Sequence, residues 1–305
     1  MDPVPLSTSR DWPEWAEQAT TPSLLRVEAA TRRAGVCCTR RRVLQRRECY
    51  IRILEDSRVE ERRLTGLGVG QKITYFELPD QQDYPWSLSG QLEMGPVMLV
   101  FYRGDWSPYC NGQLASYARE IEEFEGRGAQ IAGISVDPPP NNARMVGKLL
   151  LPFPLLSDPE GELARMFGLW NAEEGVAVPS IVIVDQSGEV RYLYSGRDVA
   201  DRPGDEEVLA ALDGLDSGIE RLTGGPEFQV GAAQARESSV RPERRAMEFE
   251  QLTPYYRGVY FTTMILKERF GGWGRAGKQA FEELDAFQQL VRSYIEALEE
   301  TIRLH

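Results

Sequence analysis

The sequence predicts an α/β domain with a helical extension before it and a helical hairpin after it. Two observations carry this expectation. Val97, Met98, Leu99, Val100 and Phe101 form a continuous apolar run of the kind a strand covered on both faces requires. Gly104 and Pro108 break the run, and from Asn111 to Gly126 a helical rhythm takes over: Leu114, Tyr117, Ala118, Ile121 and Phe124 recur at spacings of three and four. The second observation is length. At 305 residues the chain is about twice what one domain usually takes, so the strand-and-helix core leaves flanks that need their own account. The expected division is 1–65 for an Arg-rich helical extension, 66–222 for the α/β domain, 223–243 for a linker and 244–305 for a C-terminal helical hairpin.

In chain order, the first flank carries Arg32, Arg33, Arg40, Arg41, Arg42, Arg46 and Arg47 with Arg52, Arg58, Arg62 and Arg63 behind them. Its apolar residues Val43, Leu44, Ile51, Leu54 and Val59 permit one or two amphipathic helices. Glu48, Glu55, Asp56, Glu60 and Glu61 are interspersed, which makes a salt-bridged, solvated face a better reading than a nucleic-acid patch. Cys37, Cys38 and Cys49 lie here with no histidine near in sequence, and adjacent cysteines make poor joint ligands for one metal. No metal is expected. The Gly, Pro, Ser and Gln content of TGGPEFQVGAAQARESSVRPE, residues 223–243, reads as the linker. Beyond it, Phe249 to Phe270 is dense in aromatic and aliphatic residues, GGWG ends the run, and Phe281, Leu284, Phe287, Val291, Tyr294, Leu298 and Ile302 mark one face of a long closing helix. An antiparallel helical hairpin is the expected packing, its aromatic stripe serving as core or as a homodimer interface.

Composition narrows the function. A formal net charge of -12 and a pI near 4.9 argue against sequence-independent nucleic-acid binding by the chain as a whole. No apolar stretch reaches the length of a membrane span, and MDPVPLSTSRDWPEW lacks the charged start and apolar centre of a signal peptide. Four cysteines without such a signal suit a reducing cytoplasm. No ligand spacing or phosphate-cradling glycine motif calls for a metal or an organic cofactor. The sole histidine is His305, which excludes most Cys–His nucleophilic schemes.

Cys110 is the residue with the most chemistry to offer. It falls where strand gives way to helix, and unsatisfied N–H groups and the positive end of the helix dipole stabilise negative charge there. A thiolate at such a place is a nucleophile; the bland alternative is a small buried hydrophobe.

The segment VMLVFYRGDWSPYCN, Val97 to Asn111, resembles the active-site strand and turn of the thioredoxin superfamily, and most of all a peroxiredoxin-like (AhpC/TSA) branch carrying FYRG, Trp and Cys-Pro-Tyr-Cys-Asn. The first cysteine of that pair is Ser107 here. As a CxxC motif the segment has lost its attacking cysteine, whereas as a Ser-x-x-Cys motif it is intact. Further likenesses follow in order: GQKITYFELP from Gly70 to Pro79, AQIAGISVD from Ala129 to Asp137, LSDPEGELARMFG from Leu156 to Gly168, and VPSIVIVDQSG from Val178 to Gly188, with Pro179 in the place of the superfamily's cis-proline. The resemblance spans roughly Gly66 to Leu215 and implies a thioredoxin-like fold.

It also implies a site. Cys110 would be the peroxidatic thiolate, Ser107 a hydroxyl beside it and Arg103 the cation that keeps the sulfur charged, with Trp106, Tyr109, Pro179 and Arg197 lining the pocket. The arginine that typical peroxiredoxins carry just before the strand matching Ile181 to Val184 is missing, its position falling at or near Pro179. Arg197, in YSGRDVADRP, resembles a late arginine of the branch and is either a second cation or half of a surface salt bridge. Cys37, Cys38 and Cys49 are the candidates to resolve an oxidised Cys110, unless an external thiol does so. Three functions stay open on these residues: a thiol peroxidase acting on a small hydroperoxide, a different enzyme with a pocket around Cys110, Ser107 and Arg103, and a redox-inactive or redox-sensing interaction protein.

Overall fold

The computed structural model describes residues 66–215, 226–239 and 241–305. The chain divides into two units, Met1–Leu54 and Glu55–His305, and every described residue belongs to the second. The Arg-rich extension and its three cysteines, Cys37, Cys38 and Cys49, lie outside the described residues.

The core is a five-stranded mixed sheet. Its strands are β3 (Val97–Phe101), β4 (Gln130–Ser135), β5 (Leu155–Ser157), β8 (Ser180–Val184) and β9 (Val190–Ser195), in the spatial order β5-β4-β3-β8-β9. β3, β4 and β5 run parallel, while β8 and β9 run antiparallel to their neighbours. Successive side chains of a strand point to opposite faces, and β3 divides its apolar run accordingly. Met98 and Val100 join Ile181 and Ile183 in one buried cluster, and Val97, Leu99 and Phe101 join Val182 and Val184 in another. Both faces are covered, which is why the run contains no polar residue.

The second cluster is closed by β1 (Phe76–Pro79), β2 (Pro85–Ser87), α1 (Leu88–Leu92) and α5 (Glu162–Met166). The first is closed by α2 (Pro108–Arg119), α3 (Ile121–Gly126), α4 (Pro139–Leu149) and α6 (Asp205–Leu212). The helix expected from Asn111 to Gly126 is therefore two helices, parted at Glu120, whose ψ of 15° leaves the helical range. β6 (Trp170–Asn171) and β7 (Val176–Ala177) form a small hairpin of their own.

The segment read from its composition as a linker carries structure. β10 (Phe228–Gln229) pairs parallel to β1, and α7 (Ala232–Glu237) buries Ala235 in the second cluster. Its Arg241 reaches the buried carboxylates of Asp105 and Asp137, at 2.6 and 3.4 Å. Polar composition hid this because the segment is held mainly by backbone pairing and by the ion pairs of Arg236 and Arg241, neither of which leaves an apolar pattern.

α8 (Phe249–Phe270) and α9 (Gly274–Leu304) make the C-terminal helical hairpin. α8 starts with a capping box in which Glu248 and Gln251 satisfy each other's backbone N–H. The hairpin lies on α2: Leu252, Tyr256, Val291, Tyr294 and Leu298 are fully buried in the same cluster as Cys110 and Leu114. No described helix is long and apolar enough to cross a membrane.

Candidate active site

The turn between β3 and α2 is held by the chain itself. Gly104 sits at φ 149°, and a Cβ there would lie 2.0 Å from Cζ3 of Trp106, so the indole folds back over a residue that has to be glycine. The Asp105 N–H donates to Asp137 Oδ2 at 2.9 Å, and Asn111 Nδ2 donates to the carbonyls of Asp105 and Ser107 at 3.0 and 2.7 Å. Ser107 is the N-cap of α2, its Oγ accepting from the Cys110 N–H at 3.5 Å, and Pro108 occupies the first turn where no N–H is needed.

Cys110 is thus the third residue of α2 and is wholly buried. Two donors converge on its sulfur. The Arg103 backbone N–H donates at 3.4 Å, and Nη2 of Arg202 donates at 3.6 Å. Arg202 is itself held: its Nε donates to Gln113 Oε1 at 2.8 Å, its Nη1 to the Asp201 carbonyl at 2.8 Å, and Gln113 Nε2 donates to the Tyr117 hydroxyl at 3.0 Å. Cys110, Gln113 and Tyr117 are spaced by three and four residues and so share one face of α2. A buried guanidinium positioned on a sulfur stabilises its thiolate and can hydrogen-bond a second atom brought against it.

The structure redistributes the roles assigned from sequence. Arg103 stands beside Cys110 with its backbone, but its guanidinium turns away to pair with Glu174, which follows β6. Arg197 is 66% exposed and pairs with Asp201 and Glu283, the surface salt bridge of its two readings. The cation on the sulfur is Arg202, five residues further on in the same YSGRDVADRP segment and not singled out from sequence. Asp201 explains the exchange: it takes the Arg197 side chain outward while its carbonyl helps hold Arg202 inward. Pro179 precedes β8 with its carbonyl accepting from Gly196 N–H at 2.9 Å, and its peptide bond is trans, as are all those among the described residues. The cis geometry expected at this place is absent; the Val178 N–H bonds to the Leu169 carbonyl and the chain passes directly into the ladder with β3.

Tyr109 packs against Tyr255, Tyr256 and Phe287 of the hairpin, with ring centroids 6.0–6.1 Å away. Burial pushes its hydroxyl pKa up, so it stays protonated. The Trp106 ring lies on Val136 and Val176 under the guanidinium groups of Arg241 and Arg244, at 5.2 and 5.8 Å. Of the residues expected at the pocket, Ser107 and Tyr109 therefore adjoin Cys110 through α2, and Trp106 braces the turn.

The hairpin seals this region. The Tyr256 hydroxyl donates to the Pro108 carbonyl at 2.6 Å, and a Cβ at Gly112 would lie 2.4 Å from that hydroxyl and 2.6 Å from Cδ2 of Tyr294. A cleft of about 830 Å³ opens between the loop before α6, α6 itself and α9, with Arg202 and Phe287 in its lining. Arg202 consequently faces both the cleft and the sulfur.

The AhpC/TSA family model matches residues 69–193. Alkyl hydroperoxide reductase E of Mycobacterium tuberculosis is 32% identical over 150 residues, 48% of this chain and 98% of that protein. Alkyl hydroperoxide reductase C of the same organism is 32% identical over 165 residues, 51% of this chain and 80% of its own length. The crystal structure of peroxidoxin BcpB from Mycobacterium tuberculosis superposes with a TM-score of 0.46 at 29% identity, covering 50% of this chain and 99% of that one. A relative matched almost from end to end at this identity, together with the family match over residues 69–193, makes this chain a member of the AhpC/TSA family.

Proposed function

We propose that this chain is a thiol peroxidase of peroxiredoxin type that reduces a hydroperoxide at Cys110, in the branch marked by FYRG, Trp and (Cys/Ser)-Pro-Tyr-Cys-Asn. The observation that carries the assignment is the pair of donors on one buried sulfur, the Arg103 N–H and the Arg202 guanidinium. Both can hydrogen-bond the sulfur as it attacks, and the N-terminal turn of α2 adds its dipole. The sulfur attacks the terminal oxygen of the hydroperoxide, the S–O bond forms as the O–O bond breaks, and the departing oxygen takes a proton to leave as water or an alcohol. Cys110 is left as a sulfenic acid. Arg202 stabilises the charge as it passes from sulfur to the departing oxygen, which is the electrostatic task such a site has to perform. Ser107 acts as a positioning residue, capping α2 so that Cys110 presents its sulfur to these donors.

Reduction completes the cycle: a thiol condenses with the sulfenic acid, releasing water, and a second thiol frees Cys110 from the mixed disulfide. An external thiol is the reductant this reading requires, unless Cys37, Cys38 or Cys49 condenses first. A reducing cytoplasmic setting suits such a cycle, and a homodimer remains the proposed assembly, supported by the exposed Phe261, Met264 and Ile265 along α8.

The test is direct. The full chain is treated with stoichiometric hydrogen peroxide and the mass of the Cys110 peptide is read after dimedone trapping. A sulfenic-acid adduct that disappears in Cys110→Ser, together with peroxide turnover, supports the assignment. Peroxide turnover that persists in Cys110→Ser would show that Cys110 is not the nucleophile.

A further inference from the structure

Two carboxylates are buried at the turn that presents Cys110. Asp105 belongs to the turn itself, and Asp137 to the loop that follows β4. The Asp105 N–H donates to Asp137 Oδ2 at 2.9 Å, so the two loops are in contact and their charges are neighbours. Among the described residues, Arg241 is the ion-pair partner of both. Its Nη2 and Nη1 donate to Asp105 Oδ1 and Oδ2 at 2.6 and 3.3 Å, and Nη1 lies 3.4 Å from Asp137 Oδ1. Arg241 comes from the stretch between α7 and α8, well beyond residues 69–193 that the family model matches. That stretch touches the same two loops twice more: Ser239 Oγ donates to the Val136 carbonyl at 2.6 Å, and the Met247 N–H donates to the Asp105 carbonyl at 3.3 Å. The sulfur depends on this turn. Arg103, two residues before Asp105, donates its N–H to the Cys110 sulfur at 3.4 Å, and the Asp105 carbonyl accepts from Asn111, the residue after Cys110, at 3.0 Å.

We propose that Arg241 is a positioning residue for Cys110: it neutralises Asp105 and Asp137 together and so fixes the turn that carries the Arg103 N–H to the sulfur. Its effect on rate rests on the peroxidase reading above, while its hold on the turn rests on the ion pairs alone. Two buried carboxylates side by side repel strongly unless a cation bridges them, and removing that cation leaves charge buried without a partner. The loop that then moves is the one leading into Cys110. Arg241 touches no reacting atom and acts through Asp105. The stretch after α7 thereby helps to make Cys110 reactive, although it lies outside the family-matched residues.

The test uses variants of the full chain and two readings: single-turnover oxidation of Cys110 by hydrogen peroxide, scaled to the folded fraction, and deuterium exchange of the backbone from Arg103 to Cys110. Arg241→Met is expected to lose tenfold or more in rate, with exchange of the turn faster by tenfold or more. Adding Asp137→Asn restores the charge balance, and the asparagine oxygen still accepts from the Asp105 N–H. The double variant therefore returns both readings to within threefold of Asp137→Asn alone. A role in packing only would not be rescued by deleting a charge. Arg241→Lys keeps the cation and loses threefold or less; it and the double variant carry the test if Arg241→Met does not fold. Arg236→Met breaks the other ion pair of this segment, with Asp83 between β1 and β2, and leaves both readings within twofold of wild type. Three outcomes overturn the proposal: either reading within twofold of wild type in Arg241→Met, a double variant as impaired as Arg241→Met, or an equal loss in Arg236→Met. If the wild-type chain forms no sulfenic acid, the peroxidase reading fails, and the exchange data alone decide whether Arg241 fixes the turn.

Discussion

Replacing Arg202 by methionine separates the cation that touches the sulfur from the one that merely lies near it in sequence. Nη2 of Arg202 is 3.6 Å from the Cys110 sulfur and the residue is buried. Two unit charges at that distance, in the effective dielectric of about 20 that suits such sites, interact by about 4–5 kcal/mol. Rearrangement and water entering the vacated volume return part of it. If half survives, about 2 kcal/mol, the rate of Cys110 oxidation by peroxide falls about 30-fold. Arg202→Lys keeps the charge but cannot reproduce the fork that holds both Gln113 and the sulfur, so it falls between methionine and wild type. Arg103→Met retains the backbone N–H on the sulfur and loses only the pairing with Glu174, so its rate drops by less than threefold. The assay is stopped-flow oxidation of the full chain with excess hydrogen peroxide, corrected by circular dichroism for the folded fraction. An Arg202→Met rate within threefold of wild type, or an Arg103→Met loss that equals it, would refute the assignment of the cation.

Gly112→Ala places a methyl group 2.4 Å from the Tyr256 hydroxyl and 2.6 Å from the Tyr294 ring; overpacking of this kind destabilises by about 1–3 kcal/mol, so the melting temperature drops and a bulky maleimide labels Cys110 faster than in wild type. Stability should also depend on pH through two buried carboxylates. Asp137 is pushed up to about 7 by burial and by Asp105 beside it, and Asp158 is pushed up to about 6 by burial. Both values exceed the unfolded value of about 3.9, so the folded chain binds these protons more tightly and the stability they confer is lost as pH rises through 6 and then 7. Thermal melts between pH 5 and 8 should fall with pH, and Asp137→Asn should flatten the upper part of that curve.

How far the sequence discloses the fold depends on what holds each element. β3 and β8 are buried on both faces, and a strand so placed writes itself as an unbroken apolar run; the same holds for the amphipathic closing helix, whose stripe includes Val291, Tyr294 and Leu298. Cys110 was legible for a related reason, since strand, glycine turn and helix follow within fifteen residues and leave the cysteine one address. β10, α7 and Arg241 were not legible. Their anchors are a two-residue pairing with β1 and the ion pairs of Arg236 and Arg241 with carboxylates more than a hundred positions earlier, and neither produces a local period. Arg202 failed for a subtler reason. Arg197 and Arg202 flank Asp201 in one polar segment, and only the path of the loop decides which guanidinium points to solvent and which to sulfur. The signal available was that α2 aligns Gln113 with Cys110, an acceptor placed one turn away to hold a donor.

The hairpin changes what the family site can do. Tyr109, Tyr256, Tyr294 and Phe287 cover that side of α2, so the Arg202 guanidinium acts on the Cys110 sulfur in a medium less polar than water. The same cover makes two demands on the route to the sulfur. Arg202 lines the cleft and also donates to the sulfur, so under the proposed peroxidase reading a hydroperoxide entering by the cleft would meet the cation beside the nucleophile. A protein thiol is too large for that route, and in this conformation the buried sulfur offers it no face. Under the peroxidase reading proposed above, an external reductant of Cys110 is a small thiol entering past Arg202, or one that waits on displacement of the hairpin, whose hold on α2 includes hydrogen bonds from Tyr256 to the Pro108 carbonyl and between Ser116 and Ser293.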